Sequence, residues 1–187
     1  TVDRSKAEGQ RNRAILETLY SCGLRVSELV NLKLSDLYFD EGFIKVEGKG
    51  NKQRLIPISP RAINEIKLYF TDRNQIEVKS GHEDFVFISL RRGKRLSRIM
   101  IFHMIKELAQ QASITKNISP HTFRHSFATH LLEGGANLRA IQCMLGHESI
   151  ATTEIYTHID RNVLRSEIIE HHPRNIKYRK EKESLFH

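Results

Sequence analysis

His121 and Arg124 stand three residues apart, directly after Ser119-Pro120, a cap-and-proline pair that opens a helix. On that helix they are neighbours at the margin of an apolar side predicted from Phe123, Phe127, Ala128, Leu131 and Leu132. Cations at the rim of a core call for an anion. The free N–H groups and positive dipole end of a helix start favour a phosphate there. Taken alone, His-x-x-Arg is more often an arginine paired with a carboxylate and a histidine that caps. Further along, His147 follows Gly146, and Tyr156 lies in Thr152-Thr153-Glu154-Ile155-Tyr156-Thr157-His158. A tyrosine beside Ile155 and Ile159 is ordinarily a core aromatic. Upstream, Arg25 in Gly23-Leu24-Arg25-Val26-Ser27-Glu28-Leu29 sits at a junction between two helices, with Glu28 as an alternative salt-bridge partner. Lys49, between Gly48 and Gly50, occupies a hairpin tip, where an exposed lysine needs no special explanation.

The elements that must hold these residues are legible from local signals. A helix is predicted over Gln10–Cys22, with Ile15, Leu16, Leu19 and Tyr20 on one face and Gly23 just past its end. A short helix follows over Val26–Leu32. Leu37–Phe39, Phe43–Glu47 and Gln53–Ile58, separated by Asp40-Glu41-Gly42 and Gly48-Lys49-Gly50-Asn51, predict a three-stranded antiparallel meander. Ser59-Pro60 opens a helix to about Phe70, residues 71–84 read as loop, and Phe85–Ile88 as a short buried strand or extended run. Beyond the basic connector Arg91–Leu96, Ser97 caps a helix whose Ile101, Ile105, Leu108, Ala109 and Ala112 recur at helical spacing. Pro120–Glu133 and Leu138–Leu145 are the next two helices, stopped by Gly134-Gly135 and by Gly146. Ser149 can cap another, and Asp160 a last helix through Ile169. The fold class is α+β, mainly helical with one small antiparallel sheet. One domain spans 1–172, followed by a basic tail over 173–187 expected to be flexible.

Composition narrows the function. The 187 residues carry 30 Lys and Arg against 22 Asp and Glu, a net charge of +8 that points to a polyanionic partner, nucleic acid before membrane. No apolar run approaches the ~18–20 residues of a membrane span, and no leader pattern opens the chain. Cys22 and Cys143 offer neither a disulfide scaffold nor a cysteine zinc site, so a reducing, cytoplasmic setting is expected.

Together these pieces resemble the tyrosine recombinase (phage integrase) family, most closely its XerC/XerD-type chromosome dimer resolution branch. The resemblance runs from about Arg13 to Pro173. It rests on Thr18–Leu29, Gly48–Arg54, Ser119–His125, Leu145-Gly146-His147 and Thr152–His158. It implies that Arg25, Lys49, His121, Arg124, His147 and Tyr156 form one active site. Tyr156 would attack a DNA phosphate, giving a 3′-phosphotyrosyl ester and a free 5′-hydroxyl. Arg25 and Arg124 would grip the non-bridging oxygens, His147 would donate to them, His121 would relay the tyrosine proton and Lys49 would protonate the leaving oxygen. No cofactor and no metal are expected, since the motifs hold almost no clustered carboxylates and no nucleotide loop. Lys52 and Arg54 on the hairpin, with Arg91, Arg92, Lys94, Arg95 and Arg98 around the connector, are expected on backbone phosphates of double-stranded DNA.

The resemblance also implies an N-terminal helical domain that clamps the other face of the DNA. The chain starts close before the first shared helix, so that clamp is expected to be absent. An amphipathic helix bearing Val163, Leu164, Ile168 and Ile169 docks on a neighbour in a four-protomer synapse or folds back on its own core as a monomer; the sequence leaves both open. Three rivals stand beside recombination. A non-catalytic helix-turn-helix module would leave Tyr156, Lys49 and His147 without a purpose. A metal-free ribonuclease would not need Tyr156, and a type IB topoisomerase would use nearly the same constellation without site preference.

Overall fold

The computed structural model describes residues 7–146 and 161–184. Helix α1 (Ala7–Cys22) buries Ala14, Ile15, Leu19 and Cys22 completely. Its buried hydroxyls find local partners: Thr18 donates to the Ala14 carbonyl at 2.7 Å and Ser21 to the Glu17 carboxylate at 3.2 Å. Gly23 ends the helix at φ +61°, and a Cβ there would stand 2.4 Å from the Phe127 ring, so glycine alone closes this turn. Helix α2 (Val26–Asn31) stops one residue before the predicted end, because Leu32 is extended.

Strands β1 (Leu37–Tyr38), β2 (Phe43–Glu47) and β3 (Gln53–Pro57) form the expected antiparallel meander in that order. Leu37 faces Ile44, Ile44 faces Ile56 and Val46 faces Arg54. Residues opposite one another, and those two apart along a strand, share a face. Ile44, Val46 and Ile56 therefore point into the core, and Arg54 points the same way.

Helix α3 (Pro60–Arg73) is capped by the Ser59 hydroxyl, which accepts from the Ala62 N–H at 3.1 Å, and buries Ala62, Ile66 and Tyr69. It runs on past the predicted end at Phe70 because Arg73 has work there. Its guanidinium donates to the carbonyls of Glu83 (2.6 Å) and Phe85 (2.8 Å), anchoring the loop that follows. Val86, Phe87 and Ile88 are buried in an extended run flanked by the bridges Lys33–Phe85 and Ile88–Arg95. Helix α4 (Arg98–Gln111) takes its cap from Ser97 as predicted. Helices α5 (Pro120–Glu133) and α6 (Leu138–Leu145) match their predicted bounds at both ends. Helices α7 (Arg161–His171) and α8 (Pro173–Glu183) complete the described chain; the expected caps Ser149 and Asp160 lie outside the described residues.

One apolar cluster joins α1, the sheet, α3, the 86–88 run and α4. A second joins α5, α6 and α7 through Phe127, Leu131, Ile141, Met144, Leu164 and Ile168. Leu164 and Ile168 are thus buried within their own chain, so α7 folds back in cis. Two expectations are corrected. Leu132, one residue past Leu131 and so about 100° round α5, is 52% exposed rather than part of the apolar side. The stretch after Pro173 is the helix α8, with no apolar stripe of its own. His172 caps it, Asn175 donates to the Ile168 carbonyl at 3.0 Å, and Glu181 pairs with Arg61 of α3 at 3.4 Å. Among the described residues no helix is long and apolar enough to cross a membrane.

The α7–α8 junction titrates. His172 is fully buried; its Nε2–H donates to the Tyr20 carbonyl at 3.3 Å, and its Nδ1 accepts the Arg174 N–H at 3.3 Å. That pair of bonds requires the neutral ring. Burial pushes its pKa down to about 4, helped by nearby His130 and Arg174. The unfolded chain binds this proton from about pH 6.5 downward and the folded chain does not. Stability is therefore lost as pH falls from 6.5 to 4, by about 3 kcal/mol in all at ~1.36 kcal/mol per pK unit. Melting curves across that range should show the loss, and His172→Asn, which keeps a capping acceptor but cannot titrate, should flatten it. An unchanged slope in that variant assigns the loss to other groups.

Candidate active site

Arg25 is the cap residue of α2, with extended backbone (φ −70°, ψ 149°). Its own N–H donates to Glu28 Oε2 at 2.8 Å and its Nη1 to Oε1 at 3.0 Å, so the carboxylate one turn on fixes both its backbone and its head group. The salt bridge weighed from sequence is therefore present. It does not withdraw Arg25 from the surface: the Arg25 side chain stays 40% exposed while that of Glu28 is 1% exposed. Burial alone would raise the Glu28 pKa, but hydrogen bonds and charge from Arg54, then Arg25, hold it below the usual carboxylate value.

Arg124 comes from the first turns of α5. The cap there works in reverse of the usual pattern: the Thr122 hydroxyl accepts the Ser119 N–H at 3.1 Å. Arg124 is buried and splits its fork between two helix ends, donating to the Gly23 carbonyl (2.7 Å) at the end of α1 and the Leu145 carbonyl (2.6 Å) at the end of α6. Burial pushes its pKa down to about 10, with Arg25 adding to the effect. It remains a cation at neutral pH.

Arg25, His121 and Arg124 line one pocket of about 210 Å³, together with Leu24, Pro120 and Phe102. His121 is exposed at the second position of α5, so the helix start opens into the same space. Three of the six expected residues are thus brought together. Lys49 is exposed in a tight turn (Lys49–Asn51) between β2 and β3 and does not line this pocket. His147 and Tyr156 lie outside the described residues. Gly146, left-handed at φ +63°, ends α6 as expected and delivers the chain to His147.

The basic residues expected on DNA divide. Arg91, Arg92, Lys94, Arg95 and Arg98 are exposed, although Arg95 lies 5.1 Å over the Phe85 ring and donates to Asn31. Lys52 is exposed at the hairpin. Arg54 differs from these: its Nη1 and Nη2 grip Glu28 at 2.7 and 3.1 Å and its Nε donates to the Met144 carbonyl at 3.0 Å, so its fork is engaged within the chain. The alternation Arg54, Ile56, Ile58 carries the signal for this inward face. Among the other histidines, His130 bonds the Tyr20 hydroxyl at 2.8 Å and packs, while His125 is exposed.

Comparison with known proteins identifies the family. The profile of the phage integrase family matches residues 1–162. Tyrosine recombinase XerD of Staphylococcus saprophyticus is 48% identical over 175 residues, 93% of this chain and 59% of the relative. XerD of Chlorobaculum tepidum is 49% identical over 164 residues, 88% of this chain and 54% of the relative. The chain therefore spans less than two thirds of either relative. The crystal structure of XerA recombinase superposes with a TM-score of 0.68 at 37% identity, over 88% of this chain and 59% of that one. XerH site-specific recombinase, bound to a palindromic difH substrate after cleavage, gives 0.69 at 28% identity, over 90% and 47%.

Proposed function

Because the chain belongs to the phage integrase family, we propose that it is the catalytic part of a XerD-type site-specific recombinase that breaks and rejoins double-stranded DNA through a tyrosyl ester. The convergence of Arg25, His121 and Arg124 on one pocket at the start of α5 is the observation that carries this reading. A scissile phosphate seated there meets one partly exposed fork, one buried fork and a helix dipole. Tyr156 attacks phosphorus, expelling the 5′ oxygen, and its phenolic proton passes to His121. His147 donates to the non-bridging oxygens as charge builds on them, and Lys49, carried in on the β2–β3 turn, protonates the leaving oxygen. The cations stabilise an ionised phenol whose free pKa of ~10 makes it a weak nucleophile at neutral pH. Rejoining reverses these steps, so one ester replaces another without ATP. The setting is the cytoplasm, on DNA. A four-protomer assembly there has to be held by surfaces other than the buried side of α7, which its own core occupies.

The test is a nicked DNA substrate whose cleaved fragment diffuses away, trapping the enzyme. A sequence-dependent protein–DNA adduct on a denaturing gel, undiminished by EDTA, is the expected result. Cleavage without an adduct means a nuclease, retention without cleavage a binding module, and relaxation of supercoils without site preference a topoisomerase.

DNA affinity should fall steeply with salt. The exposed pair Arg91 and Lys94 should account for part of the slope: each phosphate contact removed flattens log K against log[salt] by about 0.9. Arg91→Ala with Lys94→Ala should reduce the slope by about 2, read from binding isotherms at several salt concentrations. An unaltered slope would leave those two side chains in solvent.

A further inference from the structure

We propose that Arg54 is a positioning residue: it links the end of α6 to Glu28 and thereby sets the charge and orientation of Arg25 in the pocket. This rests on reading that pocket as a phosphodiester-cleaving site. One guanidinium makes three hydrogen bonds, two to the Glu28 carboxylate and one to the Met144 carbonyl. It lies between two glycines. A Cβ on Gly48 would come 3.4 Å from its Nη1, and a Cβ on Gly146 would come 3.0 Å from its Nε and 3.1 Å from its Cζ. The slot thus accepts a flat group and little else. Lysine, a point charge on a flexible stem, cannot serve a carboxylate edge and a carbonyl at once.

The electrostatic consequence is specific. Arg25 and Glu28 alone are a neutral pair, and a phosphate gains little from approaching one. Arg54 supplies the second positive charge from behind, where its side chain is 17% exposed. The trio Arg25–Glu28–Arg54 then carries one net positive charge, displayed on the more exposed member, Arg25. Glu28 is held between two forks and does not draw Arg25 inward. The same guanidinium ties the hairpin that ends in Lys49 to the end of α6, so the two sides of the site keep one spacing.

Arg54→Gln should lower single-turnover cleavage at saturating DNA about 10²-fold, the scale of one lost transition-state donor. The salt slope of binding should stay within about 0.9 of wild type, because Arg54 touches no phosphate. Adding Glu28→Gln to that variant removes the unbalanced carboxylate, and the double variant should cleave about tenfold faster than Arg54→Gln alone. A merely structural role predicts the opposite order, since the second substitution breaks a further buried contact. Wild-type cleavage in Arg54→Gln, a slope reduced by about 1 with the saturated rate unchanged, or a double variant slower than the single would each overturn the proposal. Side-chain ¹⁵N spectra of the unmodified protein read the same arrangement without cleavage or substitution. The Arg54 Nε–H should exchange with solvent far more slowly than that of Arg91, and equal rates would also overturn it. A wild-type protein that forms no adduct while Arg54 Nε–H is protected would instead bring down the functional reading.

Discussion

Tyr156→Phe should end adduct formation completely and slow strand cleavage by about five orders of magnitude or more, with DNA affinity and melting temperature kept at wild-type values. Phenylalanine keeps the ring and deletes one oxygen, the atom proposed to bond to phosphorus. Five decades correspond to about 7 kcal/mol of activation free energy. Loss of a hydrogen bond in a folded protein is an order smaller, about 0.5–1.5 kcal/mol. The two origins cannot be confused. The nicked substrate gives the measurement: wild type should accumulate an adduct whose DNA-bearing peptide contains Tyr156, and the variant should bind the same DNA and show none. The role of Tyr156 comes from its place in the family pattern, since it lies outside the described residues. An adduct that survives in Tyr156→Phe, or maps to another residue, transfers the role of nucleophile elsewhere and breaks the proposed reaction.

How far such readings reach depends on the sequence distance over which each contact acts. Ser59, Ser97 and Gly146 mark helix ends through hydrogen bonds or backbone angles set within a few residues, and the helices they bound were legible. The β2–β3 hairpin was legible for the same reason. What escaped depends on distant partners. Arg54 meets Met144 across 90 residues, Arg124 meets Gly23 across 101 and His172 meets Tyr20 across 152. Position 54 shows the difference: its alternation with Ile56 and Ile58 already turned it inward, but a charge count over Lys49–Arg54 turned it out. Helix α8 was missed because the pattern sought was apolar. Its anchors are the buried Asn175 and ion pairs to α1 and α3, in which Arg174 approaches Glu17 at 3.6 Å and Glu181 approaches Arg61. At the site itself, the family resemblance singled out Arg25, His121 and Arg124, which share one pocket, while their anchoring depends on carbonyls and carboxylates that the motifs do not reveal.

Arg124 anchors two helix ends and is proposed to grip the phosphate as well, so two substitutions separate these roles. Arg124→Ala strips donors from the buried carbonyl contacts of Gly23 and Leu145, at about 1–3 kcal/mol for each unsatisfied group, and leaves a void beside them. The ends of α1 and α6 loosen together, and the melting temperature should fall by roughly 5–15 °C at ~2–4 °C per kcal/mol. Arg124→Lys keeps a cation and can satisfy one carbonyl, so the expected stability loss is about 1–3 kcal/mol. Its cleavage rate should still drop about 10³-fold, because a single ammonium cannot hold two helix ends and a phosphate oxygen in one plane. Rates are compared well below both melting temperatures, with the folded fraction fixed by circular dichroism. Added methylguanidinium should restore part of the rate to Arg124→Ala by refilling the vacated site, without raising its melting temperature to the wild-type value. A lysine variant within a few-fold of wild-type rate would make Arg124 a structural clamp alone, and the catalytic grip on phosphate would then fall to Arg25.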